Sequence, residues 1–325
     1  MMIEVPILLA GYGPVGREYA ELVRQYRAQW CDQYGADLRV VAVRGRSSQA
    51  EIADAVPPRE QWAPAEEVAE LLARTGARVL AQAVPSDGGE QPALDALQAL
   101  RQGAHVVTAT KSHLLTHWRQ LDETARRAGR SVRISGATGA AMPAGDLARS
   151  VLRGFDVRAV QGCLNGTATF VLDQLAAGRE LAEAVAEAQR LGIAEADPTA
   201  DLTGKDAATK LRLLAGLLWG WDPADIAVEA EPIRDQLPAA DDGHRLRQVA
   251  GASRDEPGLV RVELRAEPVA GPLGALVGPE KAVRYDCGDA GAVAVTGGRS
   301  SPRGAALAMI KDTLGAALEA TTGFR

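Results

Sequence analysis

Aromatic side chains are scarce in this sequence, at 4% of 325 residues, so its cores must be assembled from Ala, Val, Leu and Ile. Cysteine is also rare. Cys31, Cys163 and Cys287 stand far apart, which excludes a disulfide framework and a cysteine-based metal knuckle and fits a reducing, cytoplasmic compartment. No apolar run is long enough to span a bilayer, and the early Glu4 and absent basic region argue against a signal peptide. No Lys/Arg run is interleaved with aromatics, and the formal net charge is −6, so a nucleic-acid partner is not expected. Internal repeats and low-complexity linkers are absent too.

What is present is 46% hydrophobic residues in a chain long enough for two domains. Short apolar runs at 7–10, 38–43, 78–84 and 105–108 alternate with helical patterns at 15–29, 65–74 and 91–101. That alternation predicts a parallel sheet covered on both faces. The pattern changes near Ser131. Helices are expected at 145–153, 168–176, 180–191 and 206–219, and strands at 157–163, 259–264, 282–285 and 292–295. Residues 232–254 are polar and poorly periodic and read as a long loop. A final helix is expected over 304–321. The fold class is therefore α/β: a Rossmann-type domain over 1–130, an α+β substrate-binding and dimerisation domain over 131–303, and a segment 304–325 returning to the first domain.

Gly11-Tyr12-Gly13-Pro14-Val15-Gly16 fits G-x-G-x-x-G, between an apolar strand and a helix. In that context Gly11 permits the turn, Gly13 admits a pyrophosphate, Gly16 allows close packing, and Pro14 and Val15 open a helix whose free N–H groups face the phosphates. The second strand should end at the adenosine ribose, where NAD-preferring sites carry an acid. Here it ends Val43-Arg44-Gly45-Arg46-Ser47, with no acid. Arg44, Arg46 and Ser47 instead suit a 2′-phosphate, which predicts NADP.

Residues 195–210 hold Glu195, Asp197, Asp201 and Asp206 ahead of an apolar helix. At about 100° per residue, with Lys210 as zero, Leu214, Leu217 and Ala207 fall within roughly 60° and Asp206 within about 40°. Lys205, Thr209 and Arg212 fall on the opposite, water-facing side. Lys210 thus lies in the apolar sector, where a lone ammonium is costly, with Asp206 at i−4 to pair it.

These blocks resemble the homoserine dehydrogenase family. Residues 192–214 are similar to its "AEADPTADxxGxDAAxKL" signature, 106–111 to "VVTANK", 136–143 to its Gly-rich turn, and 163–169 to "LNGTTN". The resemblance covers nearly the whole chain. It implies an NADP-dependent interconversion of L-aspartate 4-semialdehyde and L-homoserine, in a homodimer, on a small amino-acid substrate. It gives the acid/base role to a lysine matching Lys210 or Lys111. We take Lys210 as acid/base, Lys111 as electrostatic partner and Asp206 as orienting group. Glu195 and Asp201 would hold the substrate ammonium, and Asn165, Gly166 and Thr167 would line the substrate. Thr110 and Lys111 would lie at the cofactor.

There are departures. Thr110 replaces an Asn, and Ser135 replaces a Glu that helps hold a cation in many members, which makes a metal ion doubtful. The chain also ends soon after its last helix, so an appended regulatory domain is not expected. A paralogous reductase of another amino-acid semialdehyde and a non-catalytic NADP-binding protein are the alternatives.

Overall fold

Strand β1 (Ile3–Ala10) ends in four residues with almost no exposure, Ile7, Leu8, Leu9 and Ala10. A strand apolar on both sides needs cover on both faces, as in a parallel sheet flanked by helices. The computed structural model, which describes residues 2–86, 89–238, 240–298 and 300–319, has that architecture. The chain divides into two compact units: 1–140 with 301–325, and 141–300.

In the first unit β1 pairs in parallel with β2 (Ala36–Arg44) and β5 (Val79–Gln82). Strands β6 (His105–Thr108) and β7 (Val132–Arg133) extend the sheet on the β5 side, also in parallel. Beyond β2, two short strands, β3 (Ser48–Glu51) and β4 (Ala63–Pro64), add antiparallel. The order is β4-β3-β2-β1-β5-β6-β7. Helices α1 (Pro14–Tyr34), α2 (Val68–Thr75), α3 (Gln91–Arg101), α4 (Ser112–Thr116) and α5 (Trp118–Ala128) join the strands. Tyr19 and Leu22 of α1 pack with Met309 and Ile310 of the closing helix Pro302–Glu319 against Ile7, Leu9 and Val107. The last part of the helix expected to reach Thr321 lies outside the described residues.

The second unit holds a six-stranded sheet of order β13-β12-β8-β10-β11-β9. Its strands are β8 (Ala159–Cys163), β9 (Ala227–Ala230), β10 (His244–Ser253), β11 (Leu259–Pro268), β12 (Ala282–Asp286) and β13 (Ala292–Thr296). All pairings are antiparallel except β9 with β11. Its helices include α6 (Gly166–Ala176), α7 (Leu181–Arg190), α8 (Thr199–Leu202) and α9 (Lys205–Trp219). Leu211, Leu214 and Ala215 of α9 pack on Val160, Val260, Val262 and Val283 of the sheet.

Three expectations need correction. Residues 232–254 are not one long loop, because β10 occupies 244–253. Its pattern was hidden by Arg247 and Gln248, both buried: the Arg247 guanidinium is paired with Asp173 at 2.9 Å. The change of architecture comes later than Ser131, since β7 still pairs with β6. The helix expected over 145–153 is one turn, Ala144–Asp146, followed by a wider π-type turn, Leu147–Val151.

Candidate active site

In the second unit the apolar sector of α9 carries its charged pair inward. Lys210 Nζ lies 2.5 Å from Asp206 Oδ2, with side-chain exposures of 13% and 15%. The same ammonium donates to the Leu164 carbonyl at 2.9 Å. An ammonium has three N–H donors, so one remains for a ligand oxygen.

Asn165 ties this pair to a second carboxylate. Its Oδ1 accepts from the Ala168 N–H at 2.9 Å and caps α6. Its Nδ2 donates to Asp201 Oδ1 at 2.5 Å and to Asp206 Oδ2 at 2.9 Å. Burial pushes the Asp201 carboxyl above the usual carboxylate range, while the Asn165 hydrogen bond opposes that rise. Thr167 Oγ1 donates to the Ile193 carbonyl at 3.1 Å. Gly166 has a packing reason to be glycine: a Cβ there would meet the Pro279 carbonyl oxygen at 2.6 Å. Asp206, Lys210, Asn165 and Asp201 are thus joined, with Gly166 and Thr167 at the same turn.

Glu195 is exposed, and its carboxylate has no hydrogen-bond partner among the described residues. Only its backbone carbonyl is engaged, by Gln189 Nε2 at 3.2 Å. Asp197 caps the next turn through the Thr199 N–H and hydroxyl. Arg212 does not face water as its helical angle suggested. Its guanidinium is half-buried and donates to the Pro223 carbonyl, because the turn after α9 folds back over that side.

Sequence reasoning missed Lys281, which is 1% exposed. Burial, reinforced by the charge of Lys210, lowers its pKa to about 8. The available signal was a lysine set directly before the apolar alternation of β12.

In the first unit the glycines fit a dinucleotide. Gly11 has φ +94°, and a Cβ there or at Gly16 would collide with backbone. Gly13 has nothing within 4 Å of its Cβ position, so open space lies above the N-terminus of α1, where Pro14 takes the first position and Val15 follows. A pyrophosphate can approach free N–H groups there. Thr110 is buried with its hydroxyl donating to the Val84 carbonyl at 2.8 Å, so it joins two strand ends. Lys111 follows β6, and its backbone N–H lies 3.4 Å from the Ser86 hydroxyl.

At the end of β2, Arg44 is committed to the protein: Nη1 lies 3.0 Å from Asp95 and Nε donates to the Glu66 carbonyl at 2.9 Å. Arg46 and Ser47 are exposed. Also missed was Arg59, whose guanidinium sits 4.4 Å from the Trp62 ring centroid. Trp62 in turn lies 5.8 Å from the Tyr12 ring of the Gly-rich turn. Ser135, in place of a carboxylate, bonds Asp312 through both its N–H and its hydroxyl at 2.9 Å. Among the described residues no group of three or more His, Cys, Asp or Glu is placed to hold a metal, and no helix is long and apolar enough to cross a membrane.

Residues 143–314 match the family profile described as homoserine dehydrogenase. Residues 11–135 match that of the homoserine dehydrogenase NAD binding domain. A homoserine dehydrogenase of Corynebacterium glutamicum is 30% identical, spanning 99% of this chain and 74% of its own. An NAD(+)-dependent homoserine dehydrogenase of Pseudomonas canavaninivorans is 30% identical over 96% of each chain. A solved hyperthermophilic archaeal homoserine dehydrogenase in complex with NADPH superposes with a TM-score of 0.82 at 25% identity, over 98% of each chain.

Proposed function

The chain belongs to the homoserine dehydrogenase family, and from that premise we propose that it interconverts L-aspartate 4-semialdehyde and L-homoserine with NADP(H), using Lys210 as acid/base. It is an NAD(P)-dependent oxidoreductase acting on a hydroxyl group. The observation that carries the finer reading is the ammonium of Lys210, held by Asp206 and the Leu164 carbonyl with one donor unspent.

When bound, the nicotinamide supplies or accepts the hydride. As hydride reaches the aldehyde carbon, its oxygen gains negative charge, and Lys210 donates a hydrogen bond and then the proton to that oxygen. In the reverse direction a neutral Lys210 takes the hydroxyl proton. Asp206 orients the amine and balances its charge. Asp201, fixed by Asn165, receives the substrate ammonium. Lys111 contributes its positive charge as electrostatic partner.

Arg46 and Ser47, exposed after β2 with no acid at the strand end, support a 2′-phosphate and hence NADP, and Arg59 on Trp62 adds a second guanidinium beside that turn. The same reading carries a cytoplasmic homodimer that pairs through the second unit. A second reading, a reductase of another amino-acid semialdehyde, is favoured by the departures at Thr110 and Ser135, whose hydroxyls bond the Val84 carbonyl and Asp312.

The test is homoserine oxidation at alkaline pH with NADP or NAD, followed at the reduced-nicotinamide band. Turnover with homoserine and preference for NADP are expected. Turnover only with other amino alcohols selects the second reading, and cofactor binding without turnover on any of them sinks both.

A further inference from the structure

Arg44 is the last residue of β2, and its backbone carbonyl accepts the Gly11 N–H at 2.8 Å, so the strand end lies against the Gly-rich turn. The Arg44 side chain is only 11% exposed and is held twice, by Asp95 Oδ2 at 3.0 Å from Nη1 and by the Glu66 carbonyl at 2.9 Å from Nε. Asp95 stands on α3, 51 residues further along the chain. It is buried, and its other oxygen accepts from Gln91 Nε2 at 2.8 Å. The Glu66 carboxylate is engaged by Arg74 at 2.5 Å, which leaves Asp95 as the countercharge of Arg44. The acid that β2 lacks in sequence is therefore present in the fold, brought to the strand end by α3.

We propose that Asp95 is a specificity-determining residue for the cofactor: it neutralises Arg44 at the end of β2, so that preference for NADP comes from Arg46 and Ser47 and stops short of excluding NAD. This rests on the reading of the loop after β2 as the 2′-phosphate site.

An NAD site places a carboxylate at this strand end and an NADP site a guanidinium. Here both groups are present and bound to each other. Asp95 has both oxygens engaged and is buried, so it does not take the ribose hydroxyls itself; it acts through Arg44. Seen from the ribose, a closed ion pair is close to neutral, whereas either partner alone would act as a full charge. A 2′-phosphate carries nearly two negative charges and responds strongly to such a charge, while the 2′-hydroxyl of NAD does not. The pyrophosphate is common to both cofactors, so its own response cancels when the two affinities are compared. Removing one partner of the pair must therefore move the ratio of NADP to NAD affinity, upward when Arg44 is unmasked and downward when Asp95 is.

The test is a set of Kd measurements for NADP and NAD by quenching of protein fluorescence, at low salt and at alkaline pH, where the carboxylate is ionised. Asp95→Asn keeps the volume and an acceptor for Arg44 but removes the charge, and it should raise the NADP-to-NAD affinity ratio by about three- to tenfold. Arg44→Gln leaves the carboxylate uncovered and should lower the ratio by a similar factor. The double variant Arg44→Gln/Asp95→Asn has no charge on either side and should return close to the parent ratio. A pair with a merely structural role would weaken both cofactors together and leave the ratio where it was. The two single variants are expected to move in opposite directions, so either one that folds, checked by circular dichroism, suffices. A ratio unmoved in a folded single variant, shifts of the same sign in both, or a double variant that keeps the shift of one single overturns the proposal. Arg46→Ala, titrated beside them, tests the reading underneath: selective loss of NADP affinity there keeps that reading whatever the pair does, and equal loss for both cofactors overturns it.

Discussion

The side-chain amide of Asn165 lies 2.9 Å from the carboxylate of Asp206, across 41 residues of chain. The same nitrogen reaches Asp201, so one amide bridges two carboxylates beside the Lys210 ammonium while its oxygen caps α6. Without that bridge two partly buried negative charges would face each other with less compensation.

The cap and the charge balance at this position can be separated. Asn165→Asp keeps an oxygen for the Ala168 N–H but removes both donor bonds and adds a third carboxylate. Asn165→Ser keeps the cap in shorter form and adds no charge. Thermal melts should show a loss of about 1 kcal/mol or less for Asn165→Ser. Steady-state kinetics should show a much larger fall in kcat/KM for Asn165→Asp than for Asn165→Ser. Equal falls would mean that a third carboxylate beside Asp201 and Asp206 has no electrostatic cost.

Lys281 should also be visible in stability. Its folded pKa of about 8 lies below the ordinary 10.5. Below pH 8 both states carry the proton and the cost of the buried charge is felt in full. Between 8 and 10.5 the unfolded chain binds more protons, so stability rises with pH, and above 10.5 the cost is gone. Lys281→Met should therefore be more stable than the parent at pH 7, by roughly 2 kcal/mol, with the gap closing above pH 10. Denaturant melts at both pH values measure it, and a constant gap would contradict the assignment.

His113 gives a slope on the acid side. It is 1% exposed, neither ring nitrogen has a hydrogen-bond partner among the described residues, and burial lowers its pKa to about 4. As pH falls from the ordinary 6.5 toward 4, the unfolded state takes up a proton that the folded state refuses, and stability is lost. His113→Leu should remove that part of the acid-side loss and leave stability above pH 7 nearly unchanged. Identical acid melts for the two proteins would sink this.

Cofactor choice turns on the loop after β2. Arg46→Ala should raise KM for NADP roughly tenfold, the worth of one charge-assisted hydrogen bond, while leaving KM for NAD unchanged. Arg44→Ala should instead lower stability, because its guanidinium is already bound to Asp95 and Glu66. Parallel changes for both cofactors in Arg46→Ala would remove it from the 2′-phosphate site.

The parts of this site legible in sequence are those set by local geometry. A run of apolar residues ending in G-x-G-x-x-G fixes strand, turn and helix together, and i, i+4 spacing on an apolar face brings Asp206 to Lys210. What escaped depends on distant partners. Arg44 looks free until Asp95, 51 residues on, arrives beside it. Glu195 looks like part of the acidic cluster until the loop leaves it in solvent. Strand β10 was obscured because Arg247 is buried against Asp173, 74 residues away. The segment at Lys281 reaches the end of β8, beside Leu164, only through the pairing of β12 with β8.

The central claim is that the ammonium of Lys210 exchanges the proton with the substrate oxygen. Homoserine oxidation by Lys210→Met, measured beside NADP binding by fluorescence, tests it most directly. The account predicts a fall in kcat of about 10²–10⁴-fold or more with NADP affinity unchanged. A variant that turns over homoserine at close to the parent rate would contradict it.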